Sequence, residues 1–236
     1  ELNTYEELNK IIEKEEPDTI HFGIAVINND GVTMETNKTI DEIIIGNDNI
    51  LNVHFSQLKH PSLARIFKRN LFNNVKIFDH NIGIDELLIV QLLAKCNKAV
   101  YITKIFYYAL ARESSVSRIT YTKKKINEGI QVHRFICNFL EVNRNLYAPF
   151  VYVKYLSYLM SVYDIARSDD SIRGSEEFFT LKNDLIRYFR KAKETDEYKR
   201  LPLLYRIKLH AFISYQPLYH AIVYALETRR KYFKKT

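Results

Sequence analysis

Cysteine is scarce in this sequence, with two residues, Cys96 and Cys137, among 236. Two thiols are too few for a disulfide framework, and their spacing matches no metal site. Both lie in apolar stretches of helical character, so we expect buried free thiols. Runs of about 18 apolar residues, which a membrane-spanning helix needs, do not occur. A secretory leader pattern is also missing, and together these absences predict a cytoplasmic protein.

Acidic residues are in short supply in the second half of the chain. The formal net charge is +7, yet residues 1–120 carry 13 Lys+Arg against 16 Asp+Glu, and residues 121–236 carry 22 against 12. A basic surface favours nucleic acid, anionic lipid or phosphorylated ligands, and a solvated lysine-rich helical surface has the same composition. The aromatic residues of this half mostly occupy apolar helical positions, as core residues do, so we expect no nucleic-acid partner.

The first half of the chain predicts alternating helices and strands. Apolar residues make up 47% of the sequence, enough for a packed core. Helical spacing predicts a helix over 2–15, ended by Pro17. The nearly continuous β-branched run 19–27 predicts an inner strand covered on both faces, and a turn at 28–31 then leads to a hairpin partner at 32–35. The apolar run 40–45 suits a strand or a helix.

The stretch from 60 to 118 gathers acidic, basic and hydroxyl side chains. We predict a helix over 62–72, then a polar turn, then the acidic pair Asp85 and Glu86 opening an apolar helix over 87–96. A strand over 99–108 follows. Because rigid elements would hold these polar groups, catalytic chemistry is expected here.

Beyond residue 120 the pattern is helical throughout. Apolar residues at spacings of three and four predict helices over 121–142, 148–166, 176–193, 203–213 and 218–233. We expect an antiparallel helical bundle following an α/β core. The predicted domains are therefore residues 1–120 and residues 121–236.

Asp85 has two interpretations from its position alone. A carboxylate in the first turn of a helix accepts backbone amide hydrogen bonds and is favoured by the helix dipole, which is a structural role. The same geometry presents a rigidly held carboxylate at the rim of a sheet, as a general base for a sugar hydroxyl requires. Spacing does not separate the two.

Three blocks of this stretch resemble family-2 glycosyltransferases, the bacterial enzymes of GT-A fold that build surface polysaccharides. Members of that family read a-K-I-Y-K-R-x-L-F, then E-D-E-x-x-x-x-x-L-L-x-x-A-K-K-V-x-Y-I, then x-x-Y-Y-Y-x-x-R-x-x-S-I-S. The chain has ARIFKRNLF at 64–72, IDELLIVQLLAKCNKAVYI at 84–102 and FYYALARESSVS at 106–117. The opening segment 1–23 is similar to the stretch just after the metal-binding motif in that family. The resemblance implies α/β architecture, a partial Rossmann-like GT-A core followed by an all-α bundle.

The resemblance also implies an activity. Asp85 matches the catalytic base that deprotonates the acceptor hydroxyl for attack on the anomeric carbon of a nucleotide sugar, with inversion. The neighbouring Glu86 is assigned to substrate binding. His80, on the loop five residues before Asp85, is a further candidate for substrate contact.

Further substrate contacts are expected on either side of the acidic pair. Arg112, with Ser115 and Ser117, matches the segment that closes over the nucleotide diphosphate, where a guanidinium can pair bidentately with phosphate oxygens. Lys68 and Arg69 match a helix that flanks the acceptor.

The chain departs from the family pattern in two ways. Ile84 replaces the glutamate that usually precedes the base, and no D-x-D motif occurs. That motif holds a divalent cation, Mn or Mg, which the full-length enzyme is expected to use. By the resemblance, roughly 90 to 100 residues with the nucleotide-binding half precede Glu1, because the catalytic domain reaches its usual size only with them. The chain by itself is then expected to be inactive.

The expected partners are a nucleotide-sugar donor and a saccharide or lipid-linked saccharide acceptor of a growing surface glycan. Basic and aromatic residues at 229–235 suit an anionic membrane surface, which would place the protein peripherally at the inner face of the plasma membrane. The alternative is a non-catalytic helical module whose basic surface binds a phosphorylated polymer, anionic lipid or a protein partner.

Overall fold

The computed structural model describes residues 3–28, 30–31, 33–37, 41–56, 64–80, 82–111 and 121–233, without the side chains at 34–37, 56, 227 and 229–233. The chain forms two compact units. Residues 1–120 with 131–147 make the first, and residues 121–130 with 148–236 make the second. The assignment of 1–120 and 121–236 to a catalytic and a helical domain stays a prediction.

The first unit combines helices with a mixed sheet. Its elements are α1 (Thr4–Glu15), β1 (Thr19–Ile27), β2 (Thr33–Asn37), β3 (Glu42–Ile45), α2 (Asn47–Ser56), β4 (Arg65–Phe67), a 3-10 helix (Arg69–Phe72), α3 (Ile84–Leu93) and β5 (Lys98–Leu110). The helices α1 and α3 and the strands β1 and β5 confirm the elements expected from periodicity, with ends that differ by a few residues.

Strand β1 lies at the centre of this sheet. The strand order is β2-β1-β5-β3, and β4 also pairs with β1. Strand β5 runs parallel to β1, whereas β2 and β4 pair with it antiparallel. Its first seven residues are buried, which confirms the inner strand expected from the continuous apolar run. Leu8 of α1 joins Ile20, Phe22 and Ile24 of β1 and Val100 of β5 in one apolar cluster.

The helix expected over 62–72 is wrong where the structure describes it. Residues Arg65–Phe67 form β4, paired with Thr19, Ile20 and His21 of β1, and the chain then turns into the 3-10 helix. In so short a segment the apolar residues fit both the helical and the strand periodicity. The segment forms a strand because its backbone hydrogen-bonds to β1. Residues in the open run 40–45 form β3 antiparallel to β5, and α2 was not anticipated.

The second half of the chain is helical. Its elements are α4 (Lys123–Asn143), a 3-10 helix (Asn145–Tyr147), α5 (Ala148–Ala166), α6 (Asp170–Arg173), α7 (Glu176–Ala192), α8 (Asp196–Lys199), α9 (Leu203–Ser214) and α10 (Gln216–Phe233). All five predicted helices are present. The expected fold class, a partial Rossmann-like α/β core followed by a helical region, is confirmed. Because α4 has residues in both compact units, it is common to them.

Two carboxylates, the buried Asp184 and the half-buried Asp164, join the helices of the second unit. Asp184 of α7 accepts a hydrogen bond from the Tyr155 hydroxyl of α5, and both side chains are buried. Asp164 of α5 accepts hydrogen bonds from the Lys208 ammonium of α9 and the Tyr219 hydroxyl of α10. Burial, together with this bond to Asp164, raises the pKa of Tyr219 well above its ordinary value, so the hydroxyl remains a donor.

Both cysteines are buried thiols, as expected. The Cys96 thiol donates to the backbone oxygen of Leu92, one turn earlier. Burial raises its pKa to about 12. A thiol so far from ionisation is a weak nucleophile, which favours a packing role.

No helix among the described residues has both the length and the hydropathy of a membrane span.

Gly129 of α4 allows a close approach of Tyr158 from α5. A Cβ atom built on Gly129 would lie 1.9 Å from the Tyr158 hydroxyl oxygen and 2.5 Å from its Cζ. Burial raises the pKa of Tyr158, in keeping with a ring enclosed by protein. The missing side chain at Gly129 is therefore part of the α4–α5 packing.

We expect Gly129→Ala to destabilise the chain by about 1–3 kcal/mol, because the ring of Tyr158 must move. The sign is informative, since alanine in a helix interior normally stabilises by about 1 kcal/mol relative to glycine. Urea denaturation followed by circular dichroism measures the change. Gly174→Ala is the matched control, because a Cβ there meets nothing within 4 Å. A stabilised Gly129→Ala variant would contradict the packing.

Candidate functional site

The candidate base lies at the start of α3. Gly83 precedes the helix with a φ of 70°, and its carbonyl oxygen accepts a 3.0 Å hydrogen bond from Leu87 N. Asp85 is exposed in the first turn and Glu86 is half-buried. A Cβ on Gly83 would lie 3.0 Å from Val132 Cγ1 of α4, so the start of α3 is in close contact with that helix. The position needs glycine for both its backbone conformation and its packing.

The remainder of α3 is enclosed by protein. Its buried residues are Leu87, Ile89, Val90, Gln91, Leu92 and Leu93. A helix that is apolar around most of its circumference is typical of a core element. Such a helix holds its exposed first turn in a fixed place.

Side chains from other elements cap the C-terminal end of α3. Asn47 Nδ2 donates to Leu93 O at 2.8 Å and to Cys96 O at 2.9 Å. Arg144 Nε donates to Asn47 Oδ1 at 2.7 Å, and its Nη2 donates to Ala94 O at 3.2 Å. Carbonyl groups at a helix C-terminus lack partners within the helix, and a cation there also favours the helix dipole. The helix that carries Asp85 is thus fixed at both ends.

Gln91 ties the loop before Asp85 to α3. Its Oε1 accepts from Lys76 N at 2.9 Å, and its Nε2 donates to Lys76 O at 2.9 Å and to Leu87 O at 3.0 Å. Gln91 is buried, so these bonds satisfy the side chain and the loop together. The sequence analysis missed this residue. A single amide in the otherwise apolar run LLIVQLL is the signal that could have found it.

His80 is held by its neighbours. Its ring stacks on Phe78, with centroids 5.1 Å apart. Nδ1 lies 2.8 Å from Asp79 O, and Nε2 lies 3.0 Å from Gln131 Oε1 of α4. Both ring nitrogens are therefore engaged within the chain. A substrate contact by His80 stays a prediction.

Lys68 joins β4 to the turn between α1 and β1. Its Nζ donates to Glu16 O at 3.0 Å and lies 3.2 Å from Asp18 Oδ1. These contacts give the residue a structural role. Arg69 is exposed at the start of the 3-10 helix. Substrate binding by either residue stays a prediction, and the helix that they were expected to share is replaced by β4 and the 3-10 turn.

Arg112, Ser115 and Ser117 lie outside the described residues, within the gap 112–120. Their assignment to the nucleotide diphosphate stays a prediction.

A buried arginine in the first unit was also missed. Arg65 of β4 is 9% exposed, and its Nη2 lies 3.2 Å from His54 Nδ1 of α2. Burial lowers the pKa of its guanidinium to about 10. In the sheet Arg65 pairs with His21, which pairs in turn with Tyr101. The sequence analysis assigned no role to Arg65, and the prediction of a helix over this segment gave no sign that its side chain is buried beside β1.

The described residues do not fit a divalent cation site. No group of three or more His, Cys, Asp or Glu side chains within the described ranges could hold a metal ion. Mg and Mn are bound through several carboxylate and water oxygens. The donor set of such a site is therefore not provided by this part of the chain.

Asp18 links the starts of β1 and β5. Burial of its carboxyl opposes ionisation and by itself would raise the pKa. The carboxylate accepts backbone hydrogen bonds from Asn97 N at 2.7 Å and Lys98 N at 3.1 Å, and the Lys68 ammonium lies beside it. These interactions outweigh the effect of burial, so the pKa of Asp18 is lowered. A carboxyl with a lowered folded-state pKa stabilises the fold above the unfolded value, near pH 4, and this stability is lost as pH falls through the folded value.

We expect Asp18→Asn to lower the free energy of unfolding by roughly 1 kcal/mol at neutral pH, because a charge-assisted acceptor becomes a neutral one. The difference from wild type should shrink below about pH 4, where the wild-type carboxyl becomes protonated. Urea denaturation at several pH values measures it. Asp79→Asn, at an exposed position, is the control. A pH-independent difference would show that the charge of Asp18 is not the cause.

Gln91→Leu should release the loop over 73–80 while keeping the apolar packing of α3. The backbone N–H and C=O of Lys76 then lose their partner, at a cost of about 1–3 kcal/mol. The substitution should raise the amide hydrogen-exchange rates of residues 73–80 and leave those of β1 unchanged. The control is Asn143→Leu, whose side chain bonds within its own helix, to Phe139 O. Unchanged exchange in 73–80 would exclude Gln91 as the anchor of the loop.

Comparisons with known proteins support the fold. No protein-family model matches the sequence, and no curated protein matches it. Among solved structures, the crystal structure of residues 1–349 of S. aureus TarS, a glycosyltransferase, is similar, with a TM-score of 0.54 and 14% sequence identity. The similarity covers 96% of this chain and 63% of that one, so the chain spans less than two thirds of the TarS structure. At this identity the likeness concerns the fold alone, and the chain has a glycosyltransferase-like fold.

Proposed function

We propose that the chain is part of an inverting glycosyltransferase that transfers a sugar from a nucleotide-sugar donor to a hydroxyl of a growing surface glycan. One observation carries the proposal. Asp85 is an exposed carboxylate in the first turn of a helix that is mostly buried and is held at both ends. The glycosyltransferase-like fold and the three family blocks support this choice of reaction.

Asp85 acts as the general base in this proposal. Its carboxylate takes the proton of the acceptor hydroxyl while the hydroxyl oxygen bonds to the anomeric carbon of the donor sugar. The bond from that carbon to the diphosphate oxygen breaks, and the nucleoside diphosphate leaves with the electron pair. Attack from the face opposite the leaving group inverts the anomeric centre. A base that is positioned before the reaction lowers the barrier because orientation is already achieved.

Other residues complete the proposed site. Arg112 with Ser115 and Ser117 would pair with the diphosphate, and Glu86 would contact the acceptor. Among the acceptor-side candidates we favour Arg69, which is exposed, over Lys68 and His80, whose polar atoms have partners within the chain. A bound Mn or Mg would supply charge neutralisation of the diphosphate. Because the described residues offer no ligand cluster, no step is assigned to that cation.

Asp85→Asn in the complete protein should lower the rate of sugar transfer by roughly 10²–10⁴-fold or more, because the amide cannot accept the proton. The position is exposed, so the free energy of unfolding should change by about 1 kcal/mol or less. The measurement is nucleoside diphosphate release from a panel of UDP- and GDP-sugars in the presence of saccharide acceptors.

Asp170→Asn is the matched control, since Asp170 is also an exposed first-turn carboxylate, in α6 of the second unit. Retained transfer by Asp85→Asn would remove Asp85 from the mechanism. Absence of transfer by the complete wild-type protein with every donor would favour the alternative, a non-catalytic binding module.

A further inference from the structure

The last two helices lie in a stretch that is almost free of acidic residues. From Tyr198 to Leu226 the sequence contains no Asp or Glu, while it contains Lys199, Arg200, Arg206 and Lys208. Residues 227–236 add five Lys or Arg and one Glu. The end of the chain therefore carries most of the positive charge imbalance that its second half shows.

These helices also expose apolar side chains. Leu203, Leu204 and Ile207 of α9, Tyr215 between the helices, and Leu218 and Tyr224 of α10 are between 42% and 73% exposed. They are six of the eight large exposed apolar residues that the structure describes in the second unit. Singly scattered exposed apolar residues are ordinary, but a concentration in 22 residues is not.

The exposed residues are not needed to hold the helices in place. The opposite faces, through Phe212 of α9 and Tyr219 of α10, pack on Tyr163 of α5, with ring centroids 4.7 Å and 5.7 Å away. The Lys208–Asp164–Tyr219 hydrogen bonds fix the same faces. At 100° per residue, Leu203, Leu204 and Ile207 fall within one 100° arc near the start of α9, and the buried Leu209 and Phe212 lie outside that arc. The buried Ala211 falls within the same arc nearer the end of the helix, so the exposed apolar surface of α9 is confined to its first turns. This part of α9 is thus available to a partner.

One exposed cation, Arg200, accompanies these outward faces. Lys199 pairs with Asp196 and Lys208 pairs with Asp164, so the charge of each is balanced within the chain. Arg200, at the end of α8 and just before α9, is exposed and has no ion pair with any residue in the described ranges. Together with its apolar neighbours, this charge favours a partner that is apolar within and negative at its surface.

We propose that the outward faces of α9 and α10 dock on an anionic lipid bilayer, with their leucine, isoleucine and tyrosine side chains entering the interface and Arg200 near the lipid phosphates. Helices that lie in a membrane interface combine an apolar face with cations in this way. The inference extends the sequence-based expectation for 229–235, whose side chains lie outside the described residues. It does not depend on the proposed function.

A second copy of the chain fits these faces less well. In a two-fold symmetric dimer the same patch meets itself, which would bring the exposed Arg200 of each copy to the same interface. Asp196 and Asp164 already pair with Lys199 and Lys208, and the segment 198–226 has no further carboxylate to balance Arg200. A bilayer with anionic headgroups supplies the missing negative charge.

The test is co-sedimentation of the 236-residue chain with phosphatidylcholine vesicles, with and without about 30% phosphatidylglycerol. We expect binding to the anionic vesicles alone. Substituting Leu203, Leu204 and Ile207 together by Gln should weaken that binding at least about tenfold, because three apolar side chains no longer enter the interface. Gln keeps the helix propensity of Leu, so folding should be retained, and circular dichroism checks it.

The matched control replaces Val142, Leu146 and Phe179 by Gln, three exposed apolar residues outside α9 and α10. It should bind vesicles like wild type, as should Asp85→Asn. Arg200→Glu serves as a second variant if the triple substitution fails to fold, with an expected loss of about tenfold or more. Three results would overturn the proposal. They are no binding to anionic vesicles, equal binding to neutral and anionic vesicles, and unchanged binding by both variants. Vesicle-independent self-association that the triple variant abolishes would likewise overturn it, in favour of a contact between copies.

Discussion

The capping and burial of α3 is the constraint on which the candidate site depends. A helix can present one carboxylate in a fixed place only if its other polar groups are satisfied, because unsatisfied buried groups would favour movement or local unfolding. Asn47 and Arg144 satisfy carbonyl groups at the C-terminal end, and Gln91 ties the preceding loop to the middle of the helix. The glycine at position 83 allows close contact with α4 at the other end. Residues outside the first turn of α3 therefore fix the place of Asp85.

The second unit uses the same principle with carboxylates as the central groups. Asp184 and Asp164 each accept hydrogen bonds from tyrosine, and Asp164 also pairs with Lys208. Enclosed or partly enclosed polar groups whose partners come from other helices favour one arrangement of those helices, since another arrangement would separate them from their partners. This arrangement places Phe212 of α9 and Tyr219 of α10 on α5 and leaves other apolar side chains of both helices, such as Leu203 and Tyr224, exposed.

Position and charge distinguish the two units in the roles that we propose for them. The first unit carries the carboxylate to which we assign sugar transfer, and the second carries the positive charge and the exposed apolar residues to which we assign membrane docking. An enzyme acting on a lipid-linked acceptor would use both properties, the one for the reaction and the other to stay where its substrate is. Each proposal nevertheless has its own residues and its own measurement.

The sequence by itself determined which segments form the main helices and strands. The run TIHFGIAVI predicted the inner strand β1, and the helical spacing beyond residue 120 predicted five helices, because burial patterns of this length are strong local signals. For the candidate site, the sequence predicted the position of one side chain, and its role stays a prediction. The first-turn position of Asp85 follows from the family blocks and from helix periodicity, whereas the roles of Gln91, Asn47 and Arg144 depend on residues that are far apart in the chain.

Only the tertiary structure decided what short or ambiguous segments became. Residues 65–67 form a strand because β1 offers hydrogen bonds there, and Lys68 is engaged with Asp18 because β4 brings the two together. The tertiary structure likewise decided that Leu203 and Ile207 are exposed while Leu209 is buried, although the sequence places all three in one helix. Local sequence sets conformational preference, and contacts with residues distant in the chain select among the conformations that it allows.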